Sequence, residues 1–189
     1  MKFDYHSIPP FFKAGGKLPD TPYGIHVVVE TPRGTRHKYA LNEELGLIEF
    51  SRTLPAGMTW PCDFGFIPQT IADDGDALDV ALLIEEGTFS GCLVQARLVG
   101  MIGYIKNGEE NNRLLAVPVT KKGAGSHWTE VDDLDDLSTR TVREVEAFLR
   151  QYNEFEGAKV ELTGIKSREE ALAAVNAAVK AWKQQQANP

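Results

Sequence analysis

The sequence contains little cysteine, no long apolar run and no excess of positive charge. Its two cysteines, Cys62 and Cys92, form no CxxC or Cys/His pattern, so we expect no zinc site and a cytoplasmic protein. No apolar run approaches the roughly 20 residues that span a bilayer, and no secretory signal is visible, so we expect no membrane partner. The formal net charge of −7 argues against a nucleic-acid partner. It does not exclude a small anionic substrate, because bound metals can supply positive charge.

The composition is that of an ordinary globular protein, with 42% hydrophobic and 25% charged residues. The length of 189 residues predicts a single domain over 1–189. Residues 1–23 are rich in proline, glycine and aromatic residues. We interpret them as an irregular N-terminal arm whose aromatic side chains lie on the body of the protein.

Short β-type runs with turn residues between them fill the sequence up to about residue 119. The predicted strands span 24–30, 37–41, 47–52, 78–84, 93–104 and 113–119. A polar hairpin, 106–112, separates the last two of them. This number of short strands favours a closed or partly closed β-barrel.

The hydrophobic period becomes helical in the C-terminal third. Ser138 is a candidate N-cap for a first helix, and residues 167–170 read as a capping box for a second. The apolar stripes of the two helices are Val142, Val145, Leu149 and Tyr152, then Leu172, Val175, Val179 and Trp182. We interpret both stripes as core.

The acidic turn, defined as residues 73–79, is the most distinctive segment of the sequence. Gly75 permits a tight turn, so that Asp74, Asp76 and Asp79 can converge at the mouth of the strand that follows. Clustered carboxylates repel each other unless cations lie among them, and oxygen ligands suit Mg²⁺, Mn²⁺ or Ca²⁺. An EF-hand fits poorly, because Asp79 occupies the position that requires glycine. Most short Asp/Gly runs are solvated turns, and that interpretation stays open for this segment taken alone.

The acidic turn and its neighbours together resemble the family I soluble inorganic pyrophosphatases. The family signature Asp-x-Asp-[Pro or Glu]-apolar-Asp-apolar reads 74–80 here, with Ala77 departing from it. Three residues precede it in the family's order and spacing: Glu30 at the end of one strand, Lys38 in the next and Arg52 at the end of the third. An aromatic segment at 61–66 then leads into the acidic turn. The similarity runs from about residue 24 to 119 and, more weakly, to 159.

The resemblance implies an α+β fold, an OB-like five-stranded β-barrel with two C-terminal helices packed outside it. It implies hydrolysis of pyrophosphate to two phosphates by metal-activated water, with Mg²⁺ or alternatively Mn²⁺ as cofactor, and it allows a homo-oligomer. Asp76 resembles the carboxylate that takes the proton of the water and also belongs to the metal cluster. The other metal ligands that it implies are Glu30, Asp74, Asp79 and Asn111, and the substrate-binding residues are Lys38, Arg52, Arg113 and Tyr152.

The sequence departs from the family pattern at positions that the resemblance places in the site. Ala40 stands in place of Glu, Phe64 in place of a phosphate-contacting Tyr, and Asn153 in place of Lys. In the hairpin, Lys106 and Asn111 stand in place of aspartates, while Arg113 keeps the positive charge of a lysine. Glu109 or Glu110 compensates if the hairpin is reshaped.

Three functions therefore stay open from the sequence. The first is pyrophosphate hydrolysis, which the acidic turn with Lys38 and Arg52 favours. The second is a divergent enzyme with weak activity or with another small phosphorylated substrate. The third is a catalytically silent protein that binds phosphate or a partner. The departures favour the second and third.

Overall fold

A closed ring of five strands forms the body of the protein in a computed structural model, which describes residues 4–12, 23–120 and 127–187. The ring order is β1, β4, β5, β8 and β6, and β6 closes it by pairing with β1. All ring pairings are antiparallel except β5–β8. The strands are β1 (Gly24–Thr31), β2 (His37–Asn42), β3 (Leu47–Thr53), β4 (Asp63–Phe66), β5 (Asp79–Leu82), β6 (Leu93–Lys106), β7 (Glu109–Glu110), β8 (Arg113–Pro118) and β9 (Val160–Lys166). The predicted barrel is confirmed.

Both faces of the barrel wall are buried, and each face packs with one helix. Along β5, Val80 and Leu82 belong to a core cluster that includes residues of α2 (Arg168–Ala187). Ala81 and Leu83 belong to a second cluster, which includes residues of α1 (Thr139–Phe155). This burial on two sides explains why the sequence here is continuously apolar and does not alternate.

The two helices begin where the sequence predicts. The Ser138 side chain accepts a hydrogen bond from the backbone N–H of Thr141, which caps α1. Ser167 and Glu170 exchange hydrogen bonds in the manner of a capping box, Glu170 N–H to Ser167 Oγ and Ser167 N–H to Glu170 Oε2. In the described part of the chain, no helix is long and apolar enough to cross a membrane.

Three strands of the main sheet, β4, β9 and the two-residue β7 in the hairpin, are additions to the predicted set. In β4, Gly65 lies opposite Val29 of β1, and a Cβ at this position would clash with the backbone carbonyl of Val28. Glycine is therefore required by close backbone approach, although it weakens the strand signal. Strand β9 extends the sheet by pairing with β6 and lies mostly exposed.

Part of the predicted N-terminal arm lies on the barrel. Tyr5 and Phe12 are buried, and Phe11 forms an isolated bridge with Ile25 of β1. Residues 1–3 and 13–22 of the predicted arm lie outside the described residues.

Candidate active site

A cavity of about 310 Å³ lies where the acidic turn, β2, the β6–β8 hairpin and α1 meet. Acidic and basic side chains share its lining. The acidic ones are Glu30, Glu43, Asp74, Asp76 and Asp79, and the basic ones are Lys38, Lys106 and Arg113. Asn111 and Tyr152 also line it. The structure thus brings together every predicted site residue except Arg52, which stands behind Tyr152.

The acidic turn is held by its own backbone. Gly75 has φ +90°, a conformation that suits glycine, and its N–H donates to the Ala72 carbonyl at 3.0 Å. The Ala72 N–H donates to the Asp76 carbonyl at 2.7 Å, and the Asp76 N–H to Asp74 Oδ1 at 3.2 Å. Because β5 starts at Asp79, the alternation of the strand then sends Val80 into the core and Asp79 into the cavity.

Two carboxylates of the cavity hold protons more tightly than usual. Burial raises the pKa of Glu30 to about 7, and the charges of Asp79 and Asp76 add to the effect. A hydrogen bond of 2.7 Å from the Leu41 N–H to Glu30 Oε1 opposes it. Burial also raises the pKa of Asp76, helped by Asp74 and Asp79. The carboxylates are close enough to repel each other, as the sequence predicts for this cluster.

Two of the cations at the site, Arg113 and Arg52, lie in ion pairs with carboxylates. Arg113 Nη2 lies 2.8 Å from Asp79 Oδ2. Arg52 donates a hydrogen bond to the Tyr152 hydroxyl and lies 3.1 Å from Glu156 Oε1. Lys38 has a lowered pKa, mainly from burial and then from the charge of Arg52. Arg52 therefore acts on the cavity through Tyr152 and Lys38.

The side-chain oxygen of Asn111 is the clearest candidate for a metal ligand in the cavity. Its Nδ2 donates to Asp74 Oδ2 at 2.8 Å, whereas its Oδ1 is buried and has no hydrogen-bond partner. A buried carbonyl oxygen without a donor is costly unless a cation or water satisfies it. Among the described residues, however, no three His, Cys, Asp or Glu side chains are grouped closely enough to hold a metal ion. Asp79 is paired with Arg113, so the predicted ligands line one cavity but do not form a complete metal-binding group.

Several residues of the cavity wall carry no signal in the sequence. Tyr5 and His6 come from the N-terminal arm, and Gln69 donates from Nε2 to the His6 carbonyl at 2.6 Å. Glu43 reaches the cavity from the β2–β3 turn. Trp60 packs its ring 5.3 Å from that of Tyr152. The aromatic segment at 61–66 and the aromatic arm predict only part of this wall.

The departures from the family pattern line this same cavity, namely Ala40, Phe64, Ala77, Lys106, Asn111 and Asn153. Neither Glu109 nor Glu110 lines this cavity. Glu110 lines a neighbouring cavity, to which Asp74, Asp79 and Asn111 also contribute, and it accepts a hydrogen bond from Asn112 Nδ2 at 3.1 Å.

Comparison with known proteins gives one consistent result. The family model described as inorganic pyrophosphatase matches residues 27–183. An inorganic pyrophosphatase from Haloferax volcanii is 34% identical over 167 residues, which cover 88% of this chain and 92% of that protein. One from Synechocystis is 33% identical over 159 residues, or 84% and 92%.

Solved structures agree. An inorganic pyrophosphatase from Thermus thermophilus superposes with a TM-score of 0.78 at 30% identity, covering 92% of this chain and 98% of that one. One from Neisseria gonorrhoeae gives 0.82 at 28% identity, covering 95% and 99%. The residues that the family model matches, 27–183, include the acidic turn, α1 and most of the barrel and α2. The chain therefore belongs to the inorganic pyrophosphatase family.

Proposed function

We propose that the cavity is the active site at which this chain hydrolyses inorganic pyrophosphate, with Mg²⁺ as its cofactor. Membership of the family makes the chain an inorganic diphosphatase, which cleaves pyrophosphate into two phosphates. The cofactor and the roles of single residues are our proposal. The observation that supports it best is that carboxylates and cations from six separate segments line one small cavity.

The donor set fits a divalent cation. Glu30, Asp74, Asp76, Asp79 and Asn111 supply oxygen ligands, and the partnerless Asn111 Oδ1 is an atom that a cation would satisfy. Bound Mg²⁺ would make water nucleophilic at neutral pH and offset the charge of the phosphates. Mn²⁺ accepts the same oxygen ligands and is the alternative.

Asp76 is the residue that we propose as the proton acceptor. Its raised pKa, caused by burial and then by Asp74 and Asp79, makes it a stronger base than an ordinary aspartate. It lies in the cavity wall, where a reacting water can reach it. Burial raises the pKa of Glu30 to about 7, but its carboxylate already accepts the Leu41 N–H at 2.7 Å, and we assign it to the metal.

Lys38, Arg113 and Tyr152 are the groups that we propose for phosphate binding. All three line the cavity and end in N–H or O–H donors. Arg52 fixes the Tyr152 hydroxyl and adds positive charge behind it. These donors hold the phosphate oxygens and orient the phosphoanhydride bond toward Asp76.

A second candidate, weak activity or a different small phosphorylated substrate, is favoured by the contact between Arg113 and Asp79. The Arg113 guanidinium lies 2.8 Å from the Asp79 carboxylate, so a metal that binds Asp79 must displace the guanidinium or share the carboxylate with it. Metal binding is then weaker than the carboxylate count suggests. The silent binding protein would keep the donors and lose the metal altogether.

Phosphate release from pyrophosphate, measured with Mg²⁺ and with Mn²⁺, tests the proposal. Asp76→Asn should abolish most of the release, whereas Asp73→Asn, which alters a carboxylate of the same turn outside this cavity, should not. Equal loss or equal retention in the two variants would remove Asp76 from its role. No release by the wild type would favour the silent binding protein.

Mg²⁺ binding is tested separately by the melting temperature, which a ligand raises when it binds only the folded state. Asp79→Ala should remove most of the rise. An unchanged rise would place the cation elsewhere.

A homo-oligomer and a cytoplasmic location also stay predictions. Exposed apolar side chains on the β2–β3 hairpin, Leu45, Leu47 and Phe50, would suit burial against a second copy. Light scattering after size exclusion measures the assembly, and a monomer at micromolar concentration would contradict it.

A further inference from the structure

The four cations at the site fall into two classes. Arg113 is bound to Asp79 at 2.8 Å, and Arg52 is bound to Glu156 at 3.1 Å. Lys38 and Lys106 line the cavity, yet neither has an ion-pair partner in the described parts of the chain. The two lysines are therefore the cations that are available to a ligand.

The backbone of Lys106 is firmly placed. It is the last residue of β6, where it pairs with Glu109 of β7 on one side and with Val160 of β9 on the other. Asn107 and Gly108 then turn the chain, both with positive φ. The side chain is thus carried on a strand between two neighbours, and it reaches the cavity from a fixed point.

The carboxylates of the cavity do not satisfy this ammonium. Glu30 accepts from the Leu41 N–H and Asp74 accepts from Asn111 Nδ2, while Asp79 is ion-paired with Arg113. A partly buried ammonium without an acceptor is unfavourable, because burial removes part of its water. Burial lowers the pKa of Lys106, and the positive charges of Arg113, Lys38 and Arg52 lower it further. A small ligand with several negative charges would relieve both costs.

We propose that Lys106 is a substrate-binding residue, which together with Lys38 contacts the phosphate oxygens of pyrophosphate. The inference rests on the proposed function and adds a residue and a mode of binding to it. An ammonium is a compact point charge that binds phosphate without a fixed bidentate geometry. The two lysines consequently hold pyrophosphate in the absence of any divalent cation.

Calorimetric titration of the full chain with pyrophosphate, in EDTA, measures this binding. Lys106→Gln should raise Kd about tenfold, the loss of one charge-assisted contact at a partly exposed site. Lys106→Arg keeps the charge and should stay within about threefold of the wild type, a difference of less than 1 kcal/mol. Lys180→Gln removes an exposed lysine of α2 that lines neither cavity and should change nothing. Equal melting temperatures in EDTA show that folding is unaffected.

The outcomes separate this inference from the proposed function. If Lys106→Gln binds like the wild type while Lys38→Gln binds more weakly, Lys106 is not a substrate contact and the proposed site stands. If neither lysine variant nor Arg113→Gln changes Kd, pyrophosphate binds elsewhere and the proposed site is wrong. If the wild type shows no binding in EDTA at millimolar pyrophosphate, metal-free binding by the two lysines is refuted.

Discussion

We expect the contact between Arg113 and Asp79 to set the balance between cation and anion binding, so that its removal shifts the two affinities in opposite directions. Arg113 Nη2 lies 2.8 Å from Asp79 Oδ2 in an ion pair, and the side chain of Arg113 is 15% exposed while that of Asp79 is 39% exposed. Arg113→Gln frees the carboxylate for Mg²⁺ and removes a phosphate donor. We expect tighter Mg²⁺ binding and weaker pyrophosphate binding in the same variant.

The size of the effect follows from Coulomb's law. A divalent cation about 2.1 Å from the same carboxylate oxygen would stand within about 5 Å of the guanidinium nitrogen. A single and a double positive charge at that distance repel by about 1.7 kcal/mol in a water-like dielectric, or about 20-fold in Kd. Because Asp79 is partly exposed and salt screens the pair, we take the water-like value as appropriate and expect about tenfold.

Mg²⁺ titration by calorimetry gives the first Kd, and pyrophosphate titration in EDTA gives the second. Arg140→Gln is the matched control, because Arg140 Nε lies 2.8 Å from Glu144 Oε1 on the exposed side of α1. Arg113 also donates to the Asn111 carbonyl at 2.9 Å, so Arg113→Lys serves as a second variant that keeps the charge. An unchanged or weaker Mg²⁺ affinity in Arg113→Gln, with folding intact, would refute the competition.

Three further predictions concern the hairpin, the cysteines and a buried carboxylate. The double variant Lys106→Asp with Asn111→Asp should bind Mg²⁺ more tightly and hydrolyse pyrophosphate faster. The effects of the two single changes should be less than additive, because both act on the same ions. If calorimetry shows no gain in Mg²⁺ affinity, the hairpin does not contact the metals. Iodoacetamide at pH 8 should modify the partly exposed Cys92 well before Cys62, because complete burial raises the pKa of the Cys62 thiol. Equal rates for the two cysteines in peptide mass spectrometry would contradict the burial of Cys62. Asp63→Asn should lower the free energy of unfolding by about 1–3 kcal/mol. The buried carboxylate accepts hydrogen bonds from two backbone N–H groups and one hydroxyl, and an amide in its place would leave one of these donors unpaired. An unchanged midpoint of urea unfolding would refute this prediction.

The parts of the fold that the sequence predicts are those with local signals. Strand β1 follows from its β-branched run, and the two helices follow from their caps at Ser138 and Ser167. Strand β4 has no such signal, because Gly65 is required by the carbonyl of Val28 in β1, a contact between distant segments. Strand β9 is mostly exposed and is interrupted by Gly164, so its alternation is weak.

The candidate site shows the same limit. The residue types and their order predict which side chains converge, and the cavity contains nearly all of them. Which cation pairs with which carboxylate depends on the parallel pairing of β5 with β8, which sets Val80 beside Leu114 and so brings Asp79 and Arg113 together. No local pattern encodes that register. The contributions of Tyr5 and His6 likewise depend on where an irregular segment comes to rest.

Most of the departures from the family pattern that alter charge make the cavity less negative. Ala40, Lys106 and Asn111 each make it less negative, and all three line it. Asn153, the one departure that removes a positive charge, donates instead to the Leu149 carbonyl of its own helix at 2.7 Å. Arg113 on Asp79 further reduces the negative charge that a metal would meet. We therefore expect this cavity to bind cations less strongly and anions more strongly, with the ammonium groups of Lys38 and Lys106 supplying part of the charge neutralisation that metals would otherwise provide.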